Sequence, residues 1–163
     1  MMRWCLLPAL LSSTAIASPS VAVVNSCLQT RVQVGVISTE IPNQEILKED
    51  NYKLGYNAEY LEFEGKDVGF AIGKKGGAML FDGKLWPTKF VVVLPGAEKI
   101  GKPNIHVELA NWSMLQEGGN KYLCAVDNFD GLGRSGNFQA YRYAYILRIN
   151  HHKKLFLAVG KSK

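Results

Sequence analysis

The chain has 163 residues, of which 47% are hydrophobic and 20% are charged. This composition supplies enough apolar residues for a core and excludes an intrinsically disordered chain. The formal net charge of +5 at pH 7 permits attraction of an anionic partner, but it does not by itself identify one.

The first residues have the pattern of a secretory signal. Met1–Arg3 is a short positive start, Trp4–Leu11 is an apolar run, and Ala15-Ile16-Ala17 is a small-x-small cleavage site. The apolar run is too short for a membrane helix, which needs about 20 such residues. We therefore predict a cleaved signal over residues 1–17, with cutting before Ser18.

A second small-x-small site, Ser20-Val21-Ala22, leaves cutting before Val23 as the alternative. Residues 18–163 contain no linker, repeat or further long apolar run, so we expect one β-rich domain without a transmembrane segment. The expected location is periplasmic or secreted.

Removal of the predicted signal changes the number of cysteines from three to two. Cys5 leaves with it, and Cys27 and Cys124 remain as a single pair. In an oxidising compartment such a pair predicts one disulfide. A lipoprotein box at Val24–Cys27 is the competing interpretation, but Asn25 fits it poorly and the apolar run lies too far upstream. We therefore favour the disulfide over a lipid anchor at Cys27.

The first predicted elements after the signal are one strand and one helix. Val32, Val34 and Val36 alternate with other residues, which predicts a strand with the valines inward. A short helix is predicted near residues 43–50, with Asn43 as its cap.

Strand signals then become dense. Hairpins are predicted around Gly65 and around Asp82-Gly83, and Phe90–Leu94 has the unbroken apolar run typical of a strand covered on both faces. Residues 105–109 alternate as another strand, with Ile105 and Val107 inward and His106 and Glu108 outward.

Residues 121–149 organise the chain. Two runs rich in aromatic and β-branched residues, 121–129 and 138–149, flank a cluster of Gly, Asp, Asn and Ser, which predicts paired strands joined by an exposed loop. A strand at Leu155–Val159 closes the fold. The whole pattern predicts an all-β, antiparallel sandwich or barrel of about eight to nine strands.

Several segments resemble known motifs in part but depart from them at positions that the chemistry requires. Gly131–Gly136 matches G-x-G-x-x-G, but strand-like residues follow it where a dinucleotide site needs a helix. Ser135 lacks the second glycine of a nucleophile elbow, because position 137 is Asn. Asp127–Gly131 fails the EF-hand pattern at both ends. We predict no catalytic residues, no cofactor and no metal site.

The histidines carry the alternative that the protein is a hydrolase. His106 and Glu108 would share the outward face of one strand, which makes a proton relay conceivable. His151 and His152 would point opposite ways if extended, and no ligand spacing supports a metal there. Because an exposed pair on a strand is far more often simple surface, the prediction remains that the protein is not an enzyme.

The loop over 130–138 is the favoured functional segment. We predict that its partner-binding residues are Asp130, Arg134, Ser135, Asn137 and Phe138. Arg and aromatic side chains supply most interface energy, and a hairpin limits the cost of ordering. The alternative is an ordinary surface loop whose glycines only permit its shape.

The four residues Ser135–Phe138 resemble the Ser-Gly-x-aromatic hairpin tips of bacterial periplasmic lysozyme inhibitors. Those inhibitors tend to be acidic, whereas this chain is basic. From the predicted signal and the composition of the 130–138 loop, we predict an exported binding protein, a small periplasmic inhibitor or immunity-type protein. Its partner would be another envelope or secreted protein such as a cell-wall enzyme.

Charge distribution supports a third interpretation. Residues 40–67 hold eight acidic residues against three lysines, whereas residues 131–163 hold seven basic residues and no acid. These can be solvated faces, or the basic third can form a module that binds envelope glycan or lipid headgroups. Tyr141, Tyr143 and Tyr145 share one strand face and are assigned to the core rather than to a stacking platform. No nucleic-acid partner is predicted.

Overall fold

A computed structural model describes residues 17–127 and 141–161. This part of the chain forms one α-helix, α1 (Val21–Gln29), and two β-sheets. The strands are β1 (Val36–Ile41), β2 (Leu47–Lys53), β3 (Tyr56–Phe63), β4 (Lys66–Gly73), β5 (Gly76–Phe81), β6 (Lys84–Pro87), β7 (Val92–Val93), β8 (Ala110–Glu117), β9 (Asn120–Asp127), β10 (Tyr141–Arg148) and β11 (Lys154–Lys161). Single 3-10 turns lie at Thr88–Phe90 and Glu98–Ile100.

The two sheets form a sandwich. One has six strands in the order β1-β8-β9-β10-β11-β7, and the other is the five-stranded meander β2-β3-β4-β5-β6. All neighbours are antiparallel except β7 and β11. The main core lies between the sheets, where Leu61 and Phe70 of one sheet share a cluster with Trp112 and Tyr145 of the other.

Helix α1 covers the outer face of the six-stranded sheet. Ser20 caps it, because its Oγ accepts a hydrogen bond from the Val23 amide at 3.1 Å. The same hydroxyl donates to Glu117 Oε1 at 2.7 Å and so fixes the helix to β8. Cys27 and Leu28 are buried in a second cluster beneath the helix. The central strands β9 and β10 are therefore covered on both faces.

The predicted all-β sandwich is confirmed, and the sheets do not close into a barrel. The described residues contain eleven strands rather than eight or nine. The Asp82-Gly83 hairpin is confirmed, with φ of 50° and 66° at the two turn residues, as a type I′ turn requires. A second hairpin joins β3 to β4 through Glu64-Gly65, in agreement with the turn predicted around Gly65.

The helix predicted near residues 43–50 is wrong. Strand β2 begins at Leu47 and pairs with β3, and the cross-strand ion pair Lys48–Glu59 measures 2.9 Å. Leu47 itself is 40% exposed, so a helix here would have gained little by burying an apolar face. The backbone pairing offered by β3 therefore decides the conformation.

Three strand predictions also need correction. Val34 is fully exposed and Val32 is 58% exposed, and the strand begins only at Val36. Residues 107–109 form a turn closed by the Leu109 amide and the His106 carbonyl, although Ile105 and Val107 are buried as predicted. Within 90–94, only Val92 and Val93 pair with a neighbouring strand.

Gly69 is a position at which the close approach of strands β3 and β4 excludes any side chain. A Cβ at Gly69 would lie 2.1 Å from the Glu59 carbonyl oxygen and 2.6 Å from Tyr60 Cα. We expect Gly69→Ala to lower the free energy of unfolding by about 1–3 kcal/mol or more, because backbone rather than a mobile side chain must move. Urea denaturation measures the change.

Gly119→Ala is the matched control for Gly69→Ala. A Cβ at Gly119 meets no atom within 4 Å and no positive φ has to be maintained there. Its effect is expected to stay within about 0.5 kcal/mol. Equal stability of the two variants would contradict the strand spacing described for β3 and β4.

Candidate functional site

The candidate site lies where β9 ends and residues 128–140 follow. Asp127 is the last residue of β9, in register with Ala110 of β8 and Tyr143 of β10. Its side chain has no exposed surface. A buried carboxylate is unfavourable unless polar groups surround it, so its neighbours define the site.

Within residues 17–127 and 141–161, the side chains of Tyr143 and His106 approach the Asp127 carboxylate. Tyr143 Oη lies 2.7 Å from Asp127 Oδ2 and 3.1 Å from the Asn104 carbonyl oxygen. The shorter distance and the negative charge favour donation of the hydroxyl proton to the carboxylate. His106 Nδ1 lies 3.4 Å from the same Oδ2, and its imidazole is half-exposed. We call Asp127, Tyr143 and His106 the Asp127 cluster.

Donors from the six-stranded sheet hold the segment that carries His106. Tyr145 Oη donates to the Pro103 carbonyl at 2.8 Å, and Trp112 Nε1 donates to the Val107 carbonyl at 3.2 Å. Burial raises the pKa of the Tyr145 hydroxyl well above its ordinary value, so it remains a neutral donor. These contacts fix the backbone on both sides of His106 and thereby place the imidazole beside Asp127.

The predicted disulfide is present three positions before Asp127 along β9. Cys27 of α1 is bonded to Cys124, with the two Cα atoms 5.8 Å apart. Cys124 shares its strand face with Tyr122 and Val126, as predicted, and that face lies under the helix. The bond occupies the Cys27 sulfur that the lipoprotein interpretation requires.

The predicted partner-binding residues Asp130, Arg134, Ser135, Asn137 and Phe138 lie outside the described residues. The G-x-G-x-x-G motif and most of the rejected calcium loop lie there too. The structure does describe the two places from which this segment departs, Asp127 at the end of β9 and Tyr141 at the start of β10.

The sequence makes a relay between His106 and Glu108 conceivable, and the structure does not bring these two side chains together. His106 contacts Asp127 rather than Glu108. Glu108 lies on an exposed turn. The pKa of Lys48 is raised mainly by its hydrogen bond and charge interaction with Glu59, and the negative charge of Glu108 adds a smaller contribution. His151 and His152 are exposed in the turn between β10 and β11, with φ of 37° and 49°, and are therefore not extended.

The three tyrosines of β10 differ in burial. Tyr145 is fully buried, Tyr143 is half-buried and Tyr141 is 51% exposed. Tyr145 therefore belongs to the core as predicted, and Tyr143 contributes its hydroxyl to the Asp127 cluster. The gradient of exposure follows β10 from the centre of the sheet toward residues 128–140.

Arg148, one of the basic residues of the C-terminal third, does not lie on the surface. Arg148 is only 5% exposed, and its guanidinium carbon lies 5.5 Å from the Tyr122 ring and 5.7 Å from the Phe156 ring. Its Nη2 donates to the Ala17 carbonyl. This arginine is therefore part of the packing beneath α1, not of a surface for an anionic partner.

The sequence interpretation missed Asp127 and Tyr143 as a pair. Strand alternation assigned Tyr143 to an inward face, but it could not show that the register of β9 and β10 sets it directly opposite Asp127. The nearest available signal was a carboxylate at the end of a strongly apolar strand, which needs a polar partner if it is buried.

Tyr143→Phe tests the Asp127 cluster. The substitution removes the hydroxyl that lies 2.7 Å from the buried carboxylate, and we expect the free energy of unfolding at pH 7 to fall by about 1.5–3 kcal/mol. Tyr141→Phe is the matched control, because Tyr141 is exposed, and should change stability by less than about 0.5 kcal/mol. If Tyr143→Phe were as stable as this control, the hydroxyl would not contribute to holding Asp127.

Comparison of the chain with protein-family models, curated proteins and solved structures finds no match. Within the ranges 17–127 and 141–161, no three His, Cys, Asp or Glu side chains come together to hold a metal ion. No helix in those same ranges is long and apolar enough to cross a membrane.

Proposed function

We propose that the protein is an exported binding protein that engages another protein through residues 130–138. The observation that carries the proposal is that β9 and β10 are joined close to where this segment leaves them. Asp127 and Tyr143 are paired in register and linked by a 2.7 Å contact. Three positions earlier, Cys124 bonds β9 to helix α1. A partner-binding segment anchored in this way loses less conformational freedom on binding.

The composition of the segment suits contact with a protein cleft. Arg134 can donate in several directions at once, Phe138 supplies apolar area, and Asp130, Ser135 and Asn137 add polar groups. With the four-residue likeness to lysozyme-inhibitor tips, these residues support a small inhibitor or immunity-type protein directed at a cell-wall enzyme. In this role the protein binds and does not catalyse.

Export is part of the same proposal. The disulfide is the kind of bond that persists in oxidising compartments. Cutting before Ser18 would remove the Ala17 carbonyl to which Arg148 donates, but it would leave helix α1 its cap at Ser20. Cutting before Val23 would remove that carbonyl, the cap and the Ser20–Glu117 hydrogen bond. We therefore favour Ser18 as the first residue of the mature periplasmic or secreted chain.

Affinity capture from envelope extracts tests this function. Wild type and the double variant Arg134→Ala, Ser135→Ala are immobilised at equal density, and captured proteins are compared by quantitative mass spectrometry. We expect a partner retained by wild type to fall at least about tenfold with the variant, since truncating a central interface residue costs about 2 kcal/mol or more.

The double variant Lys74→Ala, Lys75→Ala provides the control. Lys74 and Lys75 form the exposed turn between β4 and β5. Their substitution removes positive charge without changing residues 130–138. It should recover the partner like wild type. Equal recovery by the loop variant and by wild type would exclude the proposed role of residues 130–138.

A further inference from the structure

A cleft of about 220 Å³ lies at the end of the sandwich opposite the Asp127 cluster. Strand β9 connects the two ends of the sandwich: Lys121, near the start of the strand, lines the cleft, and Asp127 is the last residue of the strand. The five-stranded sheet contributes Lys66, Phe81, Asp82, Lys84 and Trp86, and the six-stranded sheet contributes Lys121, Ile149, Asn150 and Lys153. The cleft therefore forms only where the turns of both sheets meet.

The cleft is strongly positive. Four of its lining residues are lysines and one is an aspartate. All four lysines are exposed, and among the described residues none of them forms an ion pair. Lys66 Nζ instead lies 5.5 Å from the centre of the Phe81 ring. Four ammonium groups around one opening repel each other, and an anion placed between them relieves that repulsion.

Its inner wall is aromatic. Trp86 and Phe81 are half-buried and pack against the main core. The Trp86 Nε1 atom is fully covered and makes no hydrogen bond within the described structure. The exposed part of this residue is therefore its carbon surface and not its N–H group. A flat carbon surface is suited to packing against the C–H face of a sugar ring.

The part of the cleft lined by the six-stranded sheet is held in place by Asn150. Its Oδ1 accepts a hydrogen bond from the Lys121 amide at 2.8 Å, and its Nδ2 donates to the Gly119 carbonyl at 2.7 Å. These bonds join the turn after β10 to the start of β9 and to the turn before it. The backbone that presents Lys121 is thus fixed before any ligand arrives.

We propose that this cleft binds a sugar that carries a carboxylate, as one unit of an acidic saccharide chain. The ring packs on Trp86 and Phe81, while Lys66, Lys84, Lys121 and Lys153 surround the carboxylate. The volume is below the roughly 300–1,000 Å³ of sites for drug-sized ligands, so one sugar unit enters and its neighbours remain outside. A recessed aromatic wall favours a ring over a flat lipid surface.

Titration calorimetry with hexagalacturonate tests the assignment, with its fully methyl-esterified form as the uncharged ligand. The cleft variant changes Lys66, Lys84, Lys121 and Lys153 to Gln. The control variant changes the exposed residues Lys74, Lys75, Lys99 and Lys102 to Gln and has the same net charge. Trp86 fluorescence gives a second readout, because the other described tryptophan, Trp112, is fully buried.

We expect wild type and the control variant to bind hexagalacturonate with a change in tryptophan fluorescence, and the cleft variant to bind at least about tenfold more weakly. The methyl ester should bind at least about tenfold more weakly to wild type, and added salt should weaken binding of the acid. Absence of binding to wild type would overturn the proposal, as would equal weakening in both lysine variants. Tighter cleft-dependent binding of phosphatidylglycerol vesicles or polyphosphate would assign the site to another ligand.

Discussion

Replacing Cys27 and Cys124 together by alanine is expected to lower the free energy of unfolding by about 4–5 kcal/mol. The two residues are 97 positions apart, and opening a loop of this length restores that much chain entropy to the unfolded state. Both sulfurs are buried beneath helix α1, so the loss of their packing adds to the effect. For a domain of this size, the melting temperature should fall by roughly 10–20 °C.

Urea denaturation with and without dithiothreitol separates the bond from the side chains. Reductant should destabilise wild type and leave the alanine variant unchanged. Before reduction, an alkylating reagent added under denaturing conditions should modify neither Cys27 nor Cys124. Free thiols at both positions, or equal stability of wild type and variant, would contradict the disulfide's role in holding α1 against β9.

Trp112→Ala is expected to cost about 3–5 kcal/mol. Its ring is 1% exposed in the main core, between Ile41 of β1 and Ala125 of β9 in register. The variant leaves a cavity and also removes the indole hydrogen bond to the Val107 carbonyl. The segment that carries His106 should loosen, visible as faster hydrogen exchange over residues 103–109.

Trp112→Phe is the control for this position. It keeps an aromatic ring in the core and removes only part of the volume together with the indole N–H group. We expect it to cost about 1–2 kcal/mol, clearly less than alanine. A Trp112→Ala variant within about 1 kcal/mol of wild type would mean that the sheets do not pack on this residue as described.

The sequence predicted those features that depend on local chemistry. Asp82-Gly83 predicts a hairpin because both turn positions need positive φ, and the turn adopts it. The disulfide followed from cysteine arithmetic, since removal of the predicted signal leaves only two cysteines. The strands of the central pair were evident from their aromatic and β-branched residues.

The structural features that could not be predicted from the sequence depend on long-range contacts. Residues 43–50 carry a helical pattern, but β3 offers backbone pairing that begins at Leu47. Helix α1 was missed because its residues were assigned to a second cleavage site and a lipoprotein box, although Ser20 is a helix cap and Val23, Cys27 and Leu28 recur at helical spacing. Pairing of Asp127 with Tyr143 requires the register between two strands, and burial of Arg148 requires the rings of Tyr122 and Phe156 from two neighbouring strands.

The most direct test of the binding function places the photo-crosslinker benzoylphenylalanine at position 138 in exported protein, and in a separate control at position 90. Phe90 is 66% exposed, so it reports contacts elsewhere on the surface. We predict that irradiation of living cells gives one defined protein adduct from position 138 and none from position 90. An adduct from position 90 alone, or none from position 138, would contradict the proposal that residues 130–138 engage a protein partner.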